Sequence, residues 1–474
     1  MKRLIKRIPF KKSWRVQSIA VATVLASAAA IVAGSAWLSL EFMQDPRSIV
    51  WLNRYLPEGN KIPLNGWDDP KTMAEIQTDL RKSGFVAGDP ISINMTLKSD
   101  QKINDVLLPI FRSTANSDDL SLVEVRVYRT VFDVTARKKE AFQFINQLAV
   151  RELEETFAIE PLVQAKTTNP ASNRTLPFTM VQRYESGASN NGIWISAIGH
   201  LQRGDARIAY GQLIYYNPAS TIIRAVLPWT STTDELPAWQ TVAKGRPPEL
   251  IVNQTVGLEP DLQTYQLRTV QQGRSASVKL QPILLTKPAI DNGTFREALF
   301  LARNGLWSSA LEMMKSVRQN NPSDWTIAAQ AQLDCVDRHA KITQAQAEQP
   351  SAALTQQVLA NLIDGRWTRA TQLLQPSDVF EVLALLKTDT GQIQKRINAA
   401  LSLNNARSDV QTWAALQRAA KQNRASAIAW LVKQPQDSAR VRAQTIQILN
   451  QLDATALSTF TQPDPSPSAQ SKKN

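Results

Sequence analysis

The sequence predicts an α+β fold in three parts: an N-terminal transmembrane helix, a middle α+β domain with an antiparallel sheet, and a C-terminal all-α helical-repeat domain. Three observations carry this expectation. Residues 16–40 contain no charge at all. Strand-like runs bounded by turn residues crowd the region between about 120 and 285. From about 290 to 460 glycine becomes scarce, and alanine, leucine and glutamine dominate at helical spacing.

Residues 1–15 form a basic cytoplasmic segment with Lys2, Arg3, Lys6, Arg7, Lys11, Lys12 and Arg15 and no acid. A helix over 16–40 rises roughly 37 Å, enough for a hydrocarbon core of about 30 Å. Basic flanks stay on the cytoplasmic side, so the bulk of the chain is expected to be extracytoplasmic, in a periplasm or equivalent lumen. The competing reading is a signal peptide cleaved near Ala33-Gly34-Ser35-Ala36. Trp37, Leu38, Leu40 and Phe42 extend the apolar end and favour a retained single-pass anchor. Both readings export the bulk.

The net charge of +13 suggests nucleic acid at first sight. Seven of those charges precede the expected span, which leaves about +6 on the rest without a dense basic run. The expected partners are therefore the lipid bilayer, through 16–40, and a protein near the membrane, but no nucleic acid. The lone cysteine, Cys335, can form no intramolecular disulfide and reads as a half-buried structural thiol.

The juxtamembrane region, 41–89, reads as helical. One helix runs from Pro46 toward Leu56. A second is capped at Asp69-Pro70, passes through Met73, Ile76 and Leu80, and stops at Gly84. In the α+β domain, 90–287, residues 122–128 alternate as a half-buried strand. Residues 137–157 read as a helix, with Phe142, Ile145, Leu148 and Leu153 at helical spacing. Strands are expected at 175–184, 193–202, 206–216, 221–227, 264–270 and 277–285, in one antiparallel sheet. Gly204-Asp205 and Asn217-Pro218 supply turns. The tail, 461–474, holds Pro463, Pro465 and Pro467 among serines and is expected to be disordered.

Within 288–460, Asn304-Gly305-Leu306-Trp307-Ser308-Ser309-Ala310 aligns with Asp364-Gly365-Arg366-Trp367-Thr368-Arg369-Ala370. Glycine suits a tight turn between antiparallel helices, tryptophan fills the wedge, and alanine permits close approach. Ala298, Leu301, Gly305, Trp307, Ala310, Met314, Val317 and Pro322 fall at the spacing of tetratricopeptide repeats, which this segment resembles. The second copy lacks the proline. A fainter third surrounds Asn423, with Ala429 in the place of Ala310. The resemblance implies a helical array that binds a protein on its concave face, with Arg303 near that face; the alternative is a bundle that only covers the α+β domain. The whole chain is also similar to membrane-anchored proteins of cyanobacteria, through its anchor, its helical end and the stretch Pro248-Glu249-Leu250-Ile251-Val252-Asn253-Gln254-Thr255-Val256-Gly257-Leu258-Glu259-Pro260. That resemblance implies no activity.

No motif specifies chemistry, so the chain is not expected to be an enzyme, and no catalytic, cofactor-binding or metal-ligating residue is assigned. His200 and His339 lie in different parts. Ser99 and Lys102 have nucleophile-pair spacing but no supporting motif. Glu154-Glu155 reads as a solvated face, and Arg203-Gly204-Asp205 as a hairpin turn. Trp229 and Trp239, each near a proline in a polar loop, form an aromatic recognition surface or pin the loop to the sheet. The function this supports is a membrane-tethered extracytoplasmic scaffold or assembly factor. The alternatives are a cell-wall hydrolase using carboxylates and a glycan- or peptide-binding module.

Overall fold

The computed structural model describes residues 70–459, apart from 97–101, 114–119, 134–138, 166–167, 169–171, 185–191, 241–245, 273–274, 350–352 and 375–378. The expected span at 16–40, the helix after Pro46 and the tail lie outside the described residues. Among the described residues no helix is long and apolar enough to cross a membrane. The described residues divide into two compact units: those up to 108 with 126–147, and 109–125 with those from 148 on.

Helix α1 (Met73–Lys82) starts at Thr72, not at Asp69-Pro70. Thr72 and Glu75 close a reciprocal capping box, which satisfies two free amides at once. The chain leaves α1 through Gly84, at φ +79°. Strands β1 (Phe85–Ala87), β2 (Ile91–Thr96), β3 (Lys102–Ser113), β4 (Leu120–Asp133) and β5 (Lys139–Ala149) form a five-stranded sheet in the order β1-β3-β4-β5, with β2 also on β3. Strand β5 replaces most of the helix expected at 137–157. Phe142, Phe144 and Leu148 fit a strand alternation as well as Phe142, Ile145 and Leu148 fit a helix turn. Backbone pairing breaks the tie, and Lys71 exchanges two further backbone bonds with Phe142, at 3.1 and 2.8 Å.

All later elements lie in the second unit: β6 (Leu153–Glu154), α2 (Glu155–Gln164), β7 (Thr175–Leu176), β8 (Met180–Tyr184), β9 (Ile193–Arg203), β10 (Ala206–Asn217), β11 (Ile222–Ser231), β12 (Ala238–Gln240), β13 (Glu249–Asn253), β14 (Leu262–Gln272) and β15 (Ser275–Pro282). The α+β class with antiparallel sheets stands, but these strands do not make one sheet. They make two four-stranded sheets, β11-β10-β9-β8 and β12-β13-β14-β15, and a β6-β7 pair. The run expected at 175–184 breaks after Leu176, and its halves join different sheets. Strand β11 extends past Leu227 to Ser231, although Pro228 interrupts the pattern. It lies at the edge of its sheet, where a missing N–H is tolerated.

Ile198, Leu213 and Trp229 of the first four-stranded sheet share an apolar cluster with Leu250 and Val252 of the second. Trp194 and Tyr215 meet Leu267 and Val278 in another. Gly211 is required here: a Cβ would stand 2.4 Å from the Ala197 carbonyl and 2.5 Å from the Trp229 ring.

The C-terminal helices are α3 (Gly293–Arg303), α4 (Trp307–Asn320), α5 (Ile327–Ala347), α6 (Leu354–Asp364), α7 (Trp367–Leu373), α8 (Val379–Thr388), α9 (Gln392–Leu403), α10 (Ser408–Lys421), α11 (Arg424–Val432) and α12 (Ala439–Thr459). The two matching segments are helical hairpins, α3-α4 and α6-α7, turning at Gly305 (φ +78°) and Gly365 (φ +80°). Ala310 and Ala370 are fully buried, and α5 lies between the hairpins in sequence. The two turns touch. A Cβ on Gly365 would lie 2.8 Å from Leu306, and the Asp364 carboxylate accepts from the Ser308 amide at 3.1 Å and from the Thr343 hydroxyl at 2.7 Å. One hairpin thus caps the first turn of the other. The third segment differs: Asn423 caps α11, but Ala427 is buried while Ala429 is exposed.

Candidate functional site

Strand β13 organises the candidate site. Its sequence, Glu-Leu-Ile-Val-Asn, is buried on both faces. Leu250 and Val252 face the apolar cluster shared with the other sheet, so Glu249 and Ile251 must project to the opposite side. There they meet α5. Glu249 accepts from Arg338 at 2.6 Å, with the two side chains 1% and 14% exposed. Arg246 pairs with Asp334 on the same helix. A buried charge persists only with a partner, so these ion pairs set which turn of α5 sits over which strand.

His339 completes the contact. Its Nε2 accepts from the Leu262 amide at 2.9 Å, and its Nδ1 lies 2.8 Å from the Cys335 carbonyl. An imidazole nitrogen that accepts from an amide carries no proton, so the neutral ring is built into the fold. Burial lowers its pKa from 6.5 to about 4. The Trp307 ring stacks on it at 4.0 Å between centroids. Cys335 is fully enclosed rather than half-buried, and burial pushes its thiol up to about 11.

Farther along, Arg396 of α9 is held in two bonds by Glu259, in the turn between β13 and β14, and its guanidinium covers Gly305. The stretch 248–260 is therefore the docking edge of the second sheet for the helices.

Two depressions flank this sheet. The larger, about 620 Å³, opens between edge strand β12 and α5. Leu236, Ile251 and Ile342 supply apolar surface, Ala238 and Gln240 an exposed strand edge, and Lys341 a charged rim. Lys341 pairs with Asp337 at 2.7 Å. The smaller, about 270 Å³, lies between α2 and strands β11, β13 and β14. It brings together two carboxylates, Glu160 and Asp261, that are far apart in sequence.

The residues singled out in the sequence disperse. Trp229 and Trp239 lie on strands, not in a polar loop. Trp229 is 2% exposed, and Trp239 packs edge-on against Trp194 at 5.3 Å, so they pin structure and make no exposed aromatic surface. Glu155 is no solvated carboxylate: the Ser172 hydroxyl, with Arg174 and Arg203 beyond it, holds it below the usual range. Arg203, first residue of the Arg-Gly-Asp hairpin, is thereby committed inward. His200 Nε2 lies 3.3 Å from an Asp234 carboxylate oxygen. Arg303 is exposed, and Ser99 lies outside the described residues. Among the described residues no three His, Cys, Asp or Glu side chains gather as a metal site. Sequence reasoning missed Glu249, Asp261 and Arg338. The available signals were an acid heading the apolar run of β13 and charges at every third or fourth position of α5 (Asp334, Asp337, Arg338, Lys341) beside its buried face.

Comparison with known protein families, with curated proteins and with solved structures finds no match.

Proposed function

We propose that the protein is a membrane-tethered, extracytoplasmic scaffold that holds a protein partner near the membrane. The open cleft beside β12 carries this reading. A short edge strand offers backbone donors and acceptors to an added strand, and the neighbouring apolar surface receives alternate side chains of an extended segment. The uncharged run at 16–40, with its basic flank, supports the tether. Part of the helical surface is spent on the sheet through Arg338, His339 and Arg396. The cleft, rather than a concave face of the array, is therefore the docking place. A crosslinking pull-down with the full chain should recover a membrane or envelope protein, and a Leu236→Glu, Ile342→Glu variant should lose it. Recovery of no membrane or envelope protein overturns the reading.

A further inference from the structure

The cavity between α2 and strands β11, β13 and β14 has a different chemistry from the cleft at β12. Its wall presents the carboxylates of Glu160 and Asp261, the carboxamides of Gln164, Gln254 and Gln263, and the ring of Tyr265. No Lys, Arg or His is among its lining residues, although the chain carries 54 Lys and Arg.

The polar groups are oriented by one another. Gln164 Nε2 donates to Glu160 Oε1 at 3.0 Å, and Gln263 Nε2 donates to Asp261 Oδ1 at 2.8 Å. Gln254 Nε2 reaches the Thr230 carbonyl at 3.2 Å, and the Gln254 amide donates to the Asp261 carbonyl at 2.8 Å. Each amide–carboxylate bond uses one amide hydrogen and one lone pair. The second carboxylate oxygen and the amide oxygen of each pair are not consumed by it.

Such a wall selects its ligand class. An anion would face two carboxylates with no compensating cation. An apolar ligand would cut off from water the carboxylate and amide oxygens that these bonds leave unused, at about 1–3 kcal/mol for each group it buried. Vicinal hydroxyls satisfy it, because each hydroxyl both donates and accepts while the C–H face of a ring packs on Tyr265. The volume lies near the lower end for ligand pockets, about 300 Å³, so a single ring enters and the rest of a longer molecule stays outside.

We propose that this cavity binds one sugar ring of a neutral glycan. The inference is independent of the protein-docking cleft, since it uses other residues and another face of the sheet. The test is saturation-transfer NMR on the full chain in lipid nanodiscs, which avoids sugar-based detergents. The probes are trimers of glucose, of mannose and of N-acetylglucosamine, with tetramethylammonium and inorganic phosphate as counter-probes. At least one trimer should bind at millimolar concentration or below. A Glu160→Ala, Gln164→Ala variant, altered only at exposed positions of α2, should weaken it tenfold or more with an unchanged thermal melt. Three results overturn the proposal: no trimer binds, the variant binds as well as the parent, or only a counter-probe binds.

Discussion

The two faces of strand β13 meet opposite surroundings. On one side Leu250 and Val252 enter an apolar cluster with Ile198, Leu213 and Trp229. On the other, Glu249 is clasped by Arg338 of a helix almost ninety residues away in sequence. The apolar face gains from area: each such side chain contributes about 1.5–3 kcal/mol when fully buried. It gains little from specificity, because apolar groups of matched volume interchange easily. The ionic face gains little net energy, since desolvation offsets most of the attraction. It supplies register, because only one arrangement pairs Glu249 with Arg338, Asp334 with Arg246 and Leu262 with His339. One face holds the sheets together. The other decides where the helices sit, and therefore where the cleft at β12 opens.

The contrast can be broken by mutation. The largest expected loss is from Trp229→Ala, about 3–5 kcal/mol by chemical denaturation, because the void forms between two sheets that cannot collapse freely. Glu249→Leu should cost about 3 kcal/mol, since it leaves the Arg338 charge buried without its partner. Adding Arg338→Met should return most of that loss. A double variant as unstable as the single would show that the ion pair supplies net stability and not register alone.

His339 makes the helix–sheet contact sensitive to pH. Its folded pKa, about 4, lies below its ordinary 6.5. Above 6.5 the ring is neutral in both states. As pH falls from 6.5 toward 4, the unfolded chain takes up a proton that the folded chain refuses. Stability is therefore lost over that window, by at most about 3 kcal/mol. Denaturation midpoints measured at pH 7 and pH 4.5 should converge in a His339→Gln variant relative to the parent. A smaller effect is expected at Gly305→Ala, about 1–2 kcal/mol, from positive φ and the overlying Arg396. The same change at exposed Gly293, where a Cβ meets nothing within 4 Å, should be close to neutral.

What could be read in the sequence follows the same division. The helical hairpins at Gly305 and Gly365 were legible because glycine, tryptophan and alanine each have a local job at fixed spacing. Strands β9 and β10 were legible because dense apolar runs bracket an obvious turn at Gly204. Strand β5 was not, since Phe142, Phe144, Ile145 and Leu148 satisfy both periods and only pairing with β4 decides. The cap at Thr72 is masked in the sequence by Asp69-Pro70, because a proline is the stronger helix-start signal. The end of β11 was hidden by Pro228, which an edge strand tolerates. Both depressions were illegible for one reason: their residues come from α2, from β11 and the strands after it, and from α5, and no short motif joins them. A carboxylate such as Asp261 becomes special only when folding buries it, which raises its pKa.

The placement of the partner is tested most directly by photo-crosslinking in native cells. A photoreactive residue at Gln240, on the exposed edge of β12, should give one discrete adduct with a membrane or envelope protein. The same residue at Lys279, on β15 at the opposite edge of that sheet, should give none. Equal adducts from both positions, or none from Gln240, would contradict the account.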